Sequence, residues 1–510
     1  MKRFFSISFT FLIFCFCGQI ANAQQEYKTK SKKAIKAFEE GLRFYDAKRN
    51  SEAIVLFEKA VKADIKFIDP YILLAESHFE LGEAEIGIDY FKKVIQLNAS
   101  HFKNTYYRLA QMQLSIGQYQ DAKESLQLFS RVKGVHPKIK ESSELSMKTA
   151  DFGSKAVLNP VPFNPKNLGE SVNTDQYEYF PVLTADEQTL IFTRNQRRFS
   201  DTDYQEDFYA SSRKEDEWGT AINMGEPINT TDNEGAQTIT ADGTQIFFTG
   251  CNRKVGLGSC DIYTSKKEGG RWTAPVNLGA PVNSSKWESQ PSISADGKTL
   301  YFASNRPGGR GQSDIWVAHL QQNGNWTVPK NLGNVINTPN SEETPFIHTD
   351  GRTLYFTSDG HPGLGKKDIF MTRINDSGVW SEPKNLGYPI NTWNDESGLF
   401  VASNGEMAYF GSNREGGFGQ LDLYAFPLYK EAQPIRVTYV AGTVKDKVSG
   451  KPLGARFELI DLSTNKLVVE SNSDKLTGEF LVTLPVNRDY ALNVSKDGYL
   501  FYSEHFSLKQ

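Results

Sequence analysis

A phrase of the form Asn-[Leu/Met]-Gly, followed closely by [Ile/Val]-Asn-[Thr/Ser], recurs five times along this chain. It stands at Asn167-Leu168-Gly169, Asn223-Met224-Gly225, Asn277-Leu278-Gly279, Asn331-Leu332-Gly333 and Asn385-Leu386-Gly387. The spacing of about 54 residues constrains the fold more than any other feature. Units of this size cannot bury an apolar face alone, so they stack into solenoids, arrays or propellers.

Around these phrases the pattern alternates with period two and is punctuated by Asp-Gly turns. In the third repeat, Ser289 to Ser294 reads as a strand, Asp296-Gly297 as a hairpin turn and Thr299 to Ser304 as a second strand. A glycine-rich loop, a third strand from Asp314 to Ala318 and a fourth from Trp326 to Leu332 follow. Four short antiparallel strands per unit are the mark of propeller blades. Three-strand sets recur five times, with Asp207, Asp261, Asp314, Asp368 and Asp422 opening the last strand of each. The first outer strand, near Pro162 to Leu168, precedes any set, and the last set, ending near Leu428, has no outer strand after it. The two orphans complete each other. Residues 157–430 are therefore expected to form a five-bladed propeller whose last blade joins both ends of the array and removes a free sheet edge. Six blades, one of them degenerate, is the alternative.

Upstream, residues 31–152 are helical by period, with few Pro or Gly in the interiors. Ala53, Phe57 and Ala60 are followed 34 positions later by Gly87, Phe91 and Val94, and a third copy shows in Gly117-Gln118-Tyr119 with Ala122. This period and its small-aromatic-small pattern resemble tetratricopeptide repeats, with a helix from Pro137 to about Phe152 as a cap. Downstream, residues 434–510 carry Gly442-Thr443-Val444, Gly450-Lys451-Pro452-Leu453, Thr477-Gly478-Glu479-Phe480 and Gly498-Tyr499. This segment resembles the carboxypeptidase-regulatory-like β-sandwich, a small seven-stranded fold.

Residues 1–23 read as an export signal: Lys2 and Arg3, an apolar run from Phe4 to Cys17, and Ala21-Asn22-Ala23 before a cleavage point. A lipoprotein signal at Cys15 or Cys17 is disfavoured by Phe14 and Phe16, which stand where a small residue is needed. Removal of the signal leaves Cys251 and Cys260, which in an exported chain read most simply as a disulfide. A formal net charge of −4 gives no basic field for nucleic acid.

Taken in order, signal, tetratricopeptide helices, a propeller of the PD40 or TolB-like type and a regulatory-like sandwich resemble the periplasmic OmpA-family proteins of Bacteroidetes-type bacteria. That group includes accessory proteins of type IX secretion and gliding. The run from Ser294 to Arg306 is the distinctive part of the match. Full-length members continue into a peptidoglycan-binding OmpA-like domain that would start about where this chain reaches Gln510, so peptidoglycan binding is not carried over. The resemblance implies a periplasmic, outer-membrane-associated protein with envelope proteins as partners.

Candidate chemistry is sparse. Glu178, Glu234, Glu288, Glu342 and Glu396 fall at one position in all five repeats, and in a ring would converge near one mouth of the axial channel. They form a candidate binding ring for a cation or a basic peptide. The competing reading pairs them with Arg253, Arg306 and Arg414, or with backbone amides at a turn. Gly360-His361-Pro362-Gly363-Leu364-Gly365-Lys366-Lys367 nearly spells a phosphate-binding loop but lacks the final Ser or Thr, and recurs between strands as Pro307-Gly308-Gly309-Arg310-Gly311. These glycines are expected to serve turns needing positive φ. The run Asp201-Thr202-Asp203-Tyr204-Gln205-Glu206-Asp207 has alternating carboxylates but no central glycine of a calcium loop. Trp218, Trp272, Trp326 and Trp380, one per repeat, suit packing between blades. No nucleophile elbow, zinc-protease motif or paired histidines occur. No catalytic, cofactor or metal residue is assigned, and the expectation is a non-enzymatic envelope scaffold for protein partners. The alternative is a glycan- or peptide-binding receptor that uses the propeller mouth.

Overall fold

The computed structural model describes residues 27–198 and 204–508. The export signal and Asp201 to Asp203 lie outside the described residues.

Seven helices come first among the described residues: α1 (Lys32–Asp46), α2 (Asn50–Ala63), α3 (Ile68–Glu80), α4 (Ala84–Asn98), α5 (Thr105–Leu114), α6 (Tyr119–Phe129) and α7 (Pro137–Ala156). They pack as hairpins, α1 on α2, α3 on α4 and α5 on α6, each against the next, with α7 on α6. Small residues make the close approach feasible. A Cβ on Gly41 would stand 2.6 Å from the Phe57 ring, and one on Gly87 2.9 Å from the carbonyl oxygen of Ala75. Gly82 follows α3 in the left-handed conformation (φ 85°), and the Glu83 N–H returns to His78 O at 2.9 Å. That closes the helix and starts the turn into α4. α7 runs past Phe152 to Ala156, because Gly153 packs so closely on Tyr119 that a Cβ there would meet the ring at 2.3 Å.

From Lys166 onward the chain is β-structure apart from one short 3₁₀ turn. Five sheets have inner strands at Tyr177–Leu183, Glu234–Ile239, Glu288–Ile293, Glu342–Ile347 and Leu399–Val401. These inner strands neighbour one another in cyclic order, the fifth returning to the first, so the sheets are the blades of a closed five-membered propeller. In the fifth blade Lys166–Asn167 pairs antiparallel with Asp422–Pro427, Lys166 opposite Ala425. One blade is thus made from both ends of the array. Blades packed on both faces need strands that are apolar on both sides, and every residue of Thr353–Ser358 is buried.

Outer strands are shorter than the sequence pattern suggests. Where Trp326 to Leu332 reads as a strand, only Lys330–Asn331 pairs, and Trp326 makes an isolated bridge to Leu320. Pro329 has no N–H to give to a ladder. The signature asparagines take over the pairing. In the third blade Asn337 accepts the Ile315 N–H at 2.9 Å and donates to Ile315 O at 3.0 Å, while its amide also reaches Asn331 Oδ1 at 2.9 Å. The side chain behaves as one more peptide unit at the blade edge. The repeated tryptophans pack between blades, Trp326 on Phe247 and Trp380 on Tyr301, with ring centroids 6.2 and 6.3 Å apart.

The last segment forms two sheets. Val437–Thr443 pairs with Glu479–Pro485, and Lys466–Asn472, Arg456–Asp461, Asp489–Ser495 and Tyr502–Ser507 form the second in that order. Six strands, rather than seven, make this sandwich among the described residues, around a core of Phe457, Leu459, Val482, Leu484 and Tyr490.

Candidate functional site

In four blades a glutamate at or next to the start of the inner strand caps the turn before it. Glu288 takes the Ser284 N–H and hydroxyl, both at 2.7 Å, the Ser304 hydroxyl at 2.8 Å and Arg306 at 3.1 Å. Glu178 holds the Thr174 hydroxyl at 2.6 Å and Arg194 Nε at 2.7 Å. Glu234 does the same with Thr230 and Arg253. Glu342 holds Thr338 twice at 2.7 Å and the Ser358 hydroxyl at 2.7 Å. These four carboxylates are 0% exposed. Glu396 is half-buried, and the Arg414 guanidinium lies in its field.

Glu178, Glu234, Glu288 and Glu342 are therefore buried and engaged with their own turns. The arrangement is a repeated turn cap, because a carboxylate in a closed interior is stable only when its oxygens are hydrogen-bonded. Two of the arginines named from sequence, Arg253 and Arg306, are the partners, and Arg194, not foreseen, is a third. The arginines also lie over aromatic faces, Arg194 4.1 Å from the Tyr209 centroid and Arg253 4.5 Å from that of Tyr263. In the fourth blade His361 reaches the Ile336 carbonyl at 2.8 Å, as Arg194 reaches that of Val172, but makes no bond to the carboxylate. Burial then drives the Glu342 carboxyl up to about 7, and the hydrogen bonds from Thr338 and Ser358 only partly offset it. Burial also raises Glu178 and Glu234.

The channel itself is lined by Phe180, Ala236, Gln290, Thr344 and Gly398 with their neighbours, and encloses about 40 Å³. The space has room for a few waters. Four of those residues sit in the left-handed region, Phe180 (φ 51°), Ala236 (51°), Gln290 (53°) and Thr344 (47°). Each marks a bulge in its inner strand, where the pairing register shifts.

The remaining candidates are structural in the same way. Asp314 accepts the N–H groups of Arg310 (2.6 Å) and Gly311 (3.2 Å), and Asp261 and Asp422 repeat this. Asp207 and Asp368 accept the side-chain amides of Asn223 and Asn385. In the glycine-rich loops only some glycines need positive φ. Gly308 has φ 91°, whereas Gly311 is required by closeness, since a Cβ there would stand 1.9 Å from Asn340 O. Cys251 and Cys260 are bonded to each other across the two strands that flank their loop. Among the described residues no three His, Cys, Asp or Glu side chains gather as a metal site.

A second arrangement lies in the helical repeats. The first helices of successive hairpins meet side by side: Glu76 of α3 receives Arg108 Nε of α5 at 2.7 Å. Arg108 also donates to Gln111 at 2.6 Å, and Gln111 to the Tyr107 hydroxyl at 2.8 Å. Burial opposes the Arg108 charge, yet the Glu76 carboxylate outweighs it and raises the Arg108 pKa. Tyr45 of α1 is raised by burial and then by Glu76 and Glu80. Half-buried Phe79 lies under Arg108, 5.8 Å from its guanidinium. One face of the stack thus carries a polar line from α3 to α5, flanked by Phe79 and Tyr107. Sequence reading missed it, although Glu76 precedes Arg108 by 32 residues, close to the repeat period.

A family model described as anaphase-promoting complex, cyclosome, subunit 3, matches residues 46–128. No curated protein matches the chain. Among solved structures, the chain is similar to the first TPR domain of Spaghetti (RPAP3) bound to the HSP90 peptide SRMEEVD. The identity is 18%, over 26% of this chain and 98% of that one, with a TM-score of 0.22. It is similar to the TPR2B domain of yeast Sti1 in its pHsp70 complex at 20% identity, over 23% of this chain and 96% of that one, TM-score 0.22. It is also similar to BT0996 in its RGII complex at 9% identity, over 56% and 97%, TM-score 0.37. The N-terminal helices form a tetratricopeptide-like repeat domain, and a large all-β region follows.

Proposed function

We propose that the protein is a non-enzymatic scaffold of the cell envelope whose helical repeats take a segment of a partner protein. The observation that carries this is the face shared by α3 and α5. There Glu76, Arg108 and Gln111 are held in fixed rotamers by one another, beside Phe79. A preorganised polar line with aromatic flanks binds an extended or helical segment without first ordering its own side chains. The propeller and sandwich supply rigid bulk, with their repeated charged residues spent on turns.

Placement in the envelope rests on the resemblance to periplasmic OmpA-family proteins with PD40-type propellers and on the export signal read at residues 1–23. The partners are then envelope proteins, among them components of secretion or gliding machinery and the outer membrane, and the protein is periplasmic and outer-membrane-associated. The test is crosslinking in intact cells, recovery through a C-terminal tag and identification of partners by mass spectrometry. Envelope proteins that disappear when residues 31–152 are deleted support the proposal. Partners that persist after the deletion, or bound glycan in their place, refute it.

A further inference from the structure

One end of the sandwich gathers two loops with an unusual surface. The loop after Val437–Thr443 and the loop before Tyr502–Ser507 are tied together. The Asp446 carboxylate accepts the Val448 N–H at 3.1 Å and the Ser449 N–H within the first loop. Lys496 Nζ reaches across to Gly454 O at 2.8 Å. On this end Val448 and Leu500 are each 97% exposed, Phe501 65%, Tyr502 54% and Tyr499 46%. Nothing in the fold requires this, since turn tips are ordinarily polar and these side chains add little to the core. Four consecutive apolar or aromatic residues on a tip mark a contact surface rather than scattered exposure.

Around the tip stand Lys445, Lys447 and Lys451, all exposed, with Lys496 in the loop and Lys475 packed over Gly454. Three aspartates are nearby. Asp446 is occupied as described, Asp474 holds the N–H groups of Leu476 and Thr477, both at 2.7 Å, and Asp497 is exposed. Tyr, Leu and Phe on a protruding tip ringed by lysines have the composition of a surface that enters the headgroup layer. The apolar groups reach the acyl boundary and the ammonium groups stay level with the phosphates. A second copy of the chain fits poorly, because a two-fold contact here would set lysines against lysines.

We propose that the Tyr499–Tyr502 tip of the sandwich docks on an anionic phospholipid surface, with Leu500 and Phe501 inserted and Lys445, Lys447 and Lys451 against the phosphates. This stands on a different part of the molecule from the partner-binding face of the helices and does not depend on it. The chain from Gln24 onward is mixed with vesicles of zwitterionic phospholipid, or with vesicles containing roughly a quarter anionic phospholipid, and its cosedimentation is measured. Association is expected with the anionic vesicles only, weakening as salt shortens the Debye length. Leu500→Ser with Phe501→Ser should lower it about tenfold or more, with the circular dichroism unchanged because both side chains are exposed. Lys445→Glu with Lys447→Glu should weaken it as well. The proposal is overturned if anionic vesicles leave the protein in solution, or if the Leu500/Phe501 variant binds them equally. It is also overturned if that variant instead converts a dimer to a monomer while neither form binds lipid.

Discussion

Asn173 holds Leu423 as a neighbouring strand would: its Oδ1 accepts the Leu423 N–H at 2.8 Å and its Nδ2 donates to Leu423 O at 3.0 Å, across 250 residues of chain. Asn229, Asn283, Asn337 and Asn391 make the same pair of bonds to Phe208, Ile262, Ile315 and Ile369. Only Asn173 joins the two ends of the array. Asn173→Ala leaves the buried Leu423 N–H unpaired, while Leu423 O keeps the Leu168 N–H at 3.0 Å, and should destabilise the propeller by about 1–3 kcal/mol. The midpoint of denaturant unfolding measures it. A midpoint equal to the parent's would show that the closure does not depend on this side chain.

The fourth blade gives the propeller a pH dependence. Burial raises Glu342 from 4.5 to about 7, so the folded chain holds this proton more tightly than the unfolded chain. Stability should fall by about 3 kcal/mol as pH rises from near 4.5 to near 7 and level off above. Glu178 and Glu234 act in the same direction. Asp350 runs the other way. Hydrogen bonding and the charge of His348 overcome its burial and hold it at about 2, so its contribution is lost as pH falls from near 4 toward 2. Glu342→Gln keeps an acceptor for Thr338 and Ser358 and should flatten the slope between pH 4.5 and 7. Urea titrations of both proteins at several pH values decide it.

The left-handed bulges store strain that glycine would relieve. Ala236 has φ 51° and is 8% exposed. A non-glycine residue there costs about 1–2 kcal/mol, part of which glycine returns through the entropy of its unfolded chain. Ala236→Gly should therefore stabilise by about 0.5–1 kcal/mol, seen as a higher melting temperature. A lower melting temperature would mean that the lost methyl contact matters more than the backbone.

The blade number was legible because the signature asparagines are themselves the closing element of each blade, so counting Asn167, Asn223, Asn277, Asn331 and Asn385 counts edges. Period and composition say nothing of which way a side chain turns. Five glutamates at one repeat position fit a charged mouth as well as a buried cap, and only the Thr174, Thr230, Ser284 and Thr338 hydroxyls four residues earlier hinted at the cap. The four bulges carry no glycine, so their backbone conformation left no mark in the sequence. The line through Glu76, Arg108 and Gln111 was hidden by ordinary helix-surface residues whose neighbours lie one repeat away. At Tyr499 to Tyr502 the residues were read as part of a fold, and their exposure became visible only with the strands in place.

The central claim is that the helical face, and not the propeller channel, meets the partner. A photoreactive residue placed at Phe79, and in a second protein at Gln290 in the channel lining, tests this in intact source cells. Light should give a discrete protein adduct from position 79 and none from position 290. Adducts from position 290 with none from position 79, or glycan captured at the channel in place of protein, would contradict the account.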